Sequence, residues 1–185
     1  MKLNKQVLVA ALVFTTASVL VFPQAKRIVA PPGSAVPGLP YSPAVRSGDL
    51  LFVAGQVAMD ADGNLVPGGI AEQTRKSIEN LQAVLKADGL GLADIVSTKV
   101  YLSDARYYAG MNEAYAPFFP ETPPARATIE TDLVLEGSLI EIQAIAHADG
   151  RNAQVVTVPG EGTNTRPYSR ALHIGDYLFI AGLVS

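Results

Sequence analysis

Apolar and polar residues alternate along this chain with two periods, and each period marks a kind of element. In SLIEIQAIAHA (Ser138–Ala148), Ile140, Ile142, Ala144 and Ala146 take one parity. Leu139, Glu141, Gln143, Ile145 and His147 take the other, which is the repeat of a strand. Val96, Thr98, Val100 and Leu102 share one side of a strand in Asp94–Leu102, and Arg126, Thr128 and Glu130 share one side of another in Arg126–Thr131. Ala44–Ala58 reads as two apolar runs about Ser47-Gly48-Asp49, a hairpin pattern. Between Ile70 and Ala87 the period becomes helical. Ile78, Leu81 and Leu85 fall on one face, Glu72, Arg75 and Glu79 lie largely away from it, and Gly89 stops the helix. A second helix is predicted over Ala105–Phe119, capped by Ser103 or Asp104 and ending before Pro120. Three strands, a helix, a strand, a helix and two strands make an α+β domain over residues 26–150.

Alternation places Ile140, Ile142, Ala144 and Ala146 under the helices and the other parity on the opposite face. If the last two strands are neighbours, Arg126 meets Glu141 on that opposite face. Two readings stand. One is a solvated surface ion pair, worth at most about 1 kcal/mol. The other is the rim of a covered face: Leu139 and Ile145 share the region, and the cover would be another subunit.

The first residues break the pattern. Lys2 and Lys5 precede an apolar stretch, Val7–Phe22, of 16 residues. That length is short of the roughly 20 needed to span a bilayer and fits the core of an export signal. Residues 1–25 are therefore read as an export signal, with an uncleaved membrane anchor as the alternative. The domain is then exported, periplasmic or membrane-anchored. A proline- and glycine-rich stretch, Pro31–Pro40, follows as an ordered loop or linker.

Composition narrows the chemistry. The chain has no cysteine and two histidines, which excludes thiolate chemistry and leaves nothing to build a histidine metal cage. Asp60–Asn64 lacks the glycine and the final glutamate of a calcium loop and reads as a turn. No metal site is expected. A net charge of −3 offers no basic field, so nucleic acid is a poor partner.

The chain also repeats itself. Ile28–Ala58 laid over Val155–Ser185, an offset of 127 without a gap, gives 14 identities in 31 positions. They include Tyr41/Tyr168, Gly48/Gly175, Phe52/Phe179 and Gly55/Gly182. A period this long indicates domain duplication, so residues 151–185 read as the start of a second, incomplete copy. Such a stub cannot bury a core of its own.

The stretches LPYSPAVRSGDLLFVAGQVAMDADGNLVPGGIAEQTRKSIENLQAVLKADG, YAGMNEAYAPFF, PPARATIE and IEIQAIA together resemble the Rid family (RidA/YjgF-like reactive intermediate deaminases). The resemblance covers nearly all of Ile28–Ala148 and resumes at Val155. It implies a chorismate-mutase-like fold, a six-stranded mixed sheet backed by two helices, and a homotrimer with sheets facing inward. It implies hydrolysis of 2-imino or enamine acids such as 2-aminoacrylate and 2-iminopropanoate to the 2-keto acid and ammonia, without a cofactor. The resemblance implies that Arg126 binds the substrate carboxylate and Glu141 orients water and moves protons. It implies that Tyr41, Asn112 and Thr128 help place the substrate and that Gly55 permits close backbone approach. A structural role is open for each: Tyr41 as an interface anchor, Asn112 as a backbone partner, Gly55 as a packing glycine and Glu141 as the partner of Arg126. Ala54 stands where many members have serine, and Thr128 where cysteine is frequent. The alternative function is a non-catalytic module that binds small carboxylates or holds a protein partner.

Overall fold

In the computed structural model, which describes residues 25–33, 40–157, 160 and 165–182, the predicted hairpin forms at its Ser-Gly-Asp turn. Strand β2 (Ala44–Ser47) pairs antiparallel with β3 (Leu50–Gln56), and Gly48 between them takes a positive φ of 58°. A side chain disfavours that backbone region, so glycine suits the turn. The preceding strand β1 (Arg27–Val29) pairs with β2. Helix α1 (Ile70–Ala87) follows, and a short 3-10 turn leads into β4 (Ile95–Leu102). The second helical region is three pieces: 3-10 turns at Ala105–Tyr107 and Ala116–Phe118 flank α2 (Tyr108–Tyr115). Asp104 caps its start by accepting from the Arg106 N–H at 2.8 Å. Strands β5 (Ala125–Glu130) and β6 (Ile140–His147) complete a sheet ordered β1-β2-β3-β6-β4-β5.

That order makes the sheet mixed, with β4 and β5 parallel and every other pair antiparallel. This is the α+β chorismate-mutase-like architecture, six strands backed by two helices. Ile140, Ile142, Ala144 and Ala146 are all buried and meet Ile78, Leu81 and Leu85 of α1 in one core, as the two periods predict. Polar side chains fix α1 to the sheet. Gln73 accepts from the Leu139 N–H at 2.8 Å and donates to the Gly137 carbonyl at 3.2 Å. Asn80 donates to the carbonyls of Val57 and Met59, and Asp88 pairs with Arg27 and Arg46. Asp60 accepts from the N–H groups of Asp62 and Asn64, the turn expected there.

One expectation is corrected by this topology. Strands β5 and β6 are not neighbours, because β4 runs between them. Pairing puts Arg126 level with Thr98 and Ala144, on the helix side, whereas Glu141 is level with Tyr101 on the opposite face. Arg126 and Glu141 therefore do not meet on one face of the sheet.

A second, three-stranded sheet follows: β7 (Gln154–Val155), β8 (Ala171–Ile174) and β9 (Tyr177–Ile180). It repeats the register of β1–β3 at the 127-residue offset. Ile28↔Val45 and Val45↔Phe52 return as Val155↔Leu172 and Leu172↔Phe179. The sequence repeat is thus also a repeat of pairing. The export segment expected at residues 1–25 and much of the Pro31–Pro40 linker lie outside the described residues.

Candidate active site

Arg126 sits on β5, the edge strand of the six-stranded sheet, yet only 2% of it is exposed. Helix α2 covers it. Tyr108, Met111, Asn112 and Tyr115 recur at three- and four-residue spacing, so they line one face of that helix. The Asn112 side-chain oxygen accepts from Arg126 Nη2 at 2.5 Å, and the Met111 sulfur lies 3.7 Å from Nη1. The guanidinium carbon is 4.8 Å from the ring centre of Tyr115, 5.9 Å from Tyr108 and 4.9 Å from Tyr168. Tyr115 is itself locked: its hydroxyl is 3.0 Å from Thr98 Oγ1, and burial pushes its pKa up to about 12.

The arrangement leaves a positive charge without a negative one. Among the described residues, none of the ion pairs includes Arg126, and its buried Nε has no hydrogen-bond partner. Cation–π contact on the flat faces of a guanidinium leaves its in-plane N–H groups available, and those groups match a carboxylate. A buried cation and an orphaned donor are each costly, so a small anion bound in this plane would relieve both.

The other expected site residues divide. Asn112 joins Arg126 directly. Thr128 lies two positions along β5, on the same face of the strand and partly buried. Glu141 lies on the other face of the sheet and covers Gly55. A β-carbon added at Gly55 would fall 1.7 Å from Glu141 Oε1, so the glycine makes room for that carboxylate. Tyr41 is 61% exposed, and no hydrogen bond or ring contact among the described residues joins it to Arg126. Its repeat counterpart Tyr168 occupies that place, 9% exposed and in contact with the guanidinium. The sequence held the signals for the missed residues. The spacing in YAGMNEAY aligns the α2 face, and the repeat marks Tyr168.

Known proteins share this frame. The family model of endoribonuclease L-PSP matches residues 33–148. The chain belongs to this family, the Rid or YjgF-like one. A RutC family protein of Pyrococcus horikoshii is 44% identical over 111 residues, spanning 60% of this chain and 88% of the relative. Mitochondrial protein mmf2 of Schizosaccharomyces pombe is 46% identical over 112 residues, 59% of this chain and 88% of its own. Among solved structures, the Rid family protein YyfA of Yersinia pestis superposes with a TM-score of 0.61. Its identity is 35%, over 66% of this chain and 99% of that one. TdcF of E. coli, solved with bound serine, gives a TM-score of 0.59 at 31% identity over 65% and 98% of the two chains. The family model's match ends at residue 148, before the three-stranded sheet.

Proposed function

We propose that this Rid-family chain is a cofactor-independent hydrolytic deaminase of small 2-imino and enamine acids, of the 2-aminoacrylate and 2-iminopropanoate type. One observation carries the reading: Arg126 is a buried cation with an orphaned Nε and no carboxylate partner among the described residues. The missing partner is chemically a small planar carboxylate, which every 2-imino acid carries beside its reactive carbon. Family membership agrees with a deaminase-like role, and TdcF with its bound serine is a relative that holds a small amino acid.

In the reaction, water adds to the C=N carbon of the iminium acid to give a tetrahedral carbinolamine. A proton moves from oxygen to nitrogen, ammonia leaves, and the 2-keto acid remains. An enamine substrate first takes a proton at carbon to become that iminium. Arg126 and Asn112 hold the carboxylate and fix the imine carbon; Glu141 lies across the sheet from the Arg126 of its own chain, so it is proposed to orient water and carry the proton from a neighbouring subunit. The net charge of −3 favours this reading over RNA cleavage. With the export signal expected at residues 1–25, the reaction belongs outside the cytoplasm. The homotrimer implied by the resemblance is part of the same proposal.

The second reading, a non-catalytic carboxylate-binding module, is favoured by the placement of Glu141 on the face opposite Arg126. One assay separates the two. Generate 2-iminopropanoate with an amino-acid oxidase, trap it with semicarbazide, and measure how far the protein outruns the trap. The expected result is acceleration that falls by about 10- to 150-fold in Arg126→Ala, as losing a charged hydrogen bond of about 1.5–3 kcal/mol requires. Glu141→Gln is expected to lose turnover while binding the product pyruvate normally. Acceleration by wild type with unchanged turnover in Glu141→Gln removes Glu141 from the mechanism. No acceleration by wild type, with pyruvate still bound, establishes the binding module instead.

A further inference from the structure

The surface around Tyr41 and the surface around Tyr168 are copies of one another, and they have different surroundings. Tyr41 is 61% and Phe52 43% exposed; their counterparts Tyr168 and Phe179 are 9% exposed and half-buried. What covers the second copy is the outer edge of β5. The Ser169 N–H and hydroxyl donate to the carbonyls of Pro124 at 3.1 Å and Pro123 at 2.6 Å. The Gly182 N–H donates to the Arg126 carbonyl at 3.0 Å, so main-chain bonds from the second copy fall on both sides of Ala125. Tyr168, Ala181 and Phe179 pack on Ala125, and Tyr177 meets His147 edge-to-face at 5.9 Å on the sheet side away from the helices. Leu178 and Ile180, the counterparts of core residues Leu51 and Val53, turn outward at 53% and 62% exposure. The second copy therefore offers the first the face that a Rid-like domain turns away from its own helices, as a neighbouring copy would.

We propose that Tyr168–Gly182 docks in cis on β5 and closes the Arg126 pocket, so that Tyr168 rather than Tyr41 is the second aromatic wall of the carboxylate site. Tyr115 and Tyr168 then set two rings 4.8 and 4.9 Å from the guanidinium carbon and leave its in-plane N–H groups to a planar 2-imino or 2-keto carboxylate. Arg166 holds the Tyr168 hydroxyl at 2.9 Å. The first copy's Tyr41 surface is left facing outward, free of this pocket. The ligand role of Tyr168 rests on the carboxylate reading above; the docking does not.

The chain has no cysteine, so a paired substitution reports the docking without background. A β-carbon built on Gly182 lies 3.2 Å from that of Ala127, close to the roughly 3.5–4.5 Å of a disulfide. The double variant Ala127→Cys/Gly182→Cys is expected to oxidise within one chain, giving a faster-migrating monomer at a rate independent of protein concentration. Covalent dimers whose yield rises with concentration, or thiols that stay free in the folded protein, overturn the docking. Calorimetric titration with pyruvate then tests the wall. Tyr168→Ala is expected to weaken binding at least tenfold and Tyr41→Ala to change it less than twofold. The reverse pattern, or tighter binding by Tyr168→Ala, overturns the assignment of Tyr168. Wild type that ignores pyruvate while the intrachain disulfide forms sinks the carboxylate reading and the role of Tyr168 with it, and leaves the docking standing.

Discussion

Tyr115 joins the chemistry of the pocket to the core. It is fully buried, bonded to Thr98 and stacked near Arg126. Desolvation raises its pKa to about 12, against the smaller opposing pulls of the Thr98 hydrogen bond and the Arg126 charge. A folded-state pKa above the unfolded one means that the neutral phenol contributes stability that is complete below about pH 10. The contribution is lost as pH rises from there through 12. In an ultraviolet titration, one of the seven tyrosines is expected to ionise roughly two pH units after an ordinary tyrosine, with unfolding close behind. That late step should vanish in Tyr115→Phe. A wild-type curve in which every tyrosine titrates near 10 would contradict the burial argument. At this scale the alternation of β5 was legible, since Arg126, Thr128 and Glu130 do share a face. Which face was not, because a charged residue on an edge strand is expected outward and only the cover of α2 brings it in.

Among the elements, α1 was the most legible. Its period, its length and the stop at Gly89 are local, and the structure keeps all three. Its attachments were not legible, because Gln73 reaches residues 64 and 66 positions away. Gln73→Met keeps the volume but leaves the Leu139 N–H and the Gly137 carbonyl without their partner. The expected cost is about 1–3 kcal/mol, read as a lower urea midpoint at unchanged slope. A midpoint equal to wild type would show that water replaces both bonds. Strand β6 was predicted by alternation alone, and its buried parity is the one expected. Its neighbour was mistaken because parity says nothing of strand order: adjacency in sequence suggested β5, and the parallel β4–β5 pair displaces it.

For the molecule as a whole, the described chain is one Rid-like domain with a three-stranded sheet laid on it that repeats the pairing register of β1–β3. The main-chain bonds from Ser169 and Gly182 protect the edge of β5, which would otherwise present unpaired groups to another chain. Ser169→Pro deletes one of these main-chain donors together with the hydroxyl bond to Pro123. Hydrogen exchange is expected to show faster exchange at Gly182 and across Ala171–Ile180 in this variant, while β1–β6 keep their protection. Equal loss across both sheets would mean that the two fold as a single unit; no loss at all would mean that the bond to Pro124 is dispensable.

By itself the sequence determined the elements, their apolar faces, the internal repeat and the family, because periods, turn residues and repeats are local properties of a chain. Tertiary structure alone decided that Arg126 and Glu141 lie on opposite faces and that Tyr168, rather than Tyr41 of the same chain, lies beside Arg126. Both depend on which strands pair and which copy of a repeated surface docks. Local pattern cannot tell two copies of one surface apart, because the choice rests on contacts distant in sequence, such as that of Ser169 with Pro123, 46 positions away.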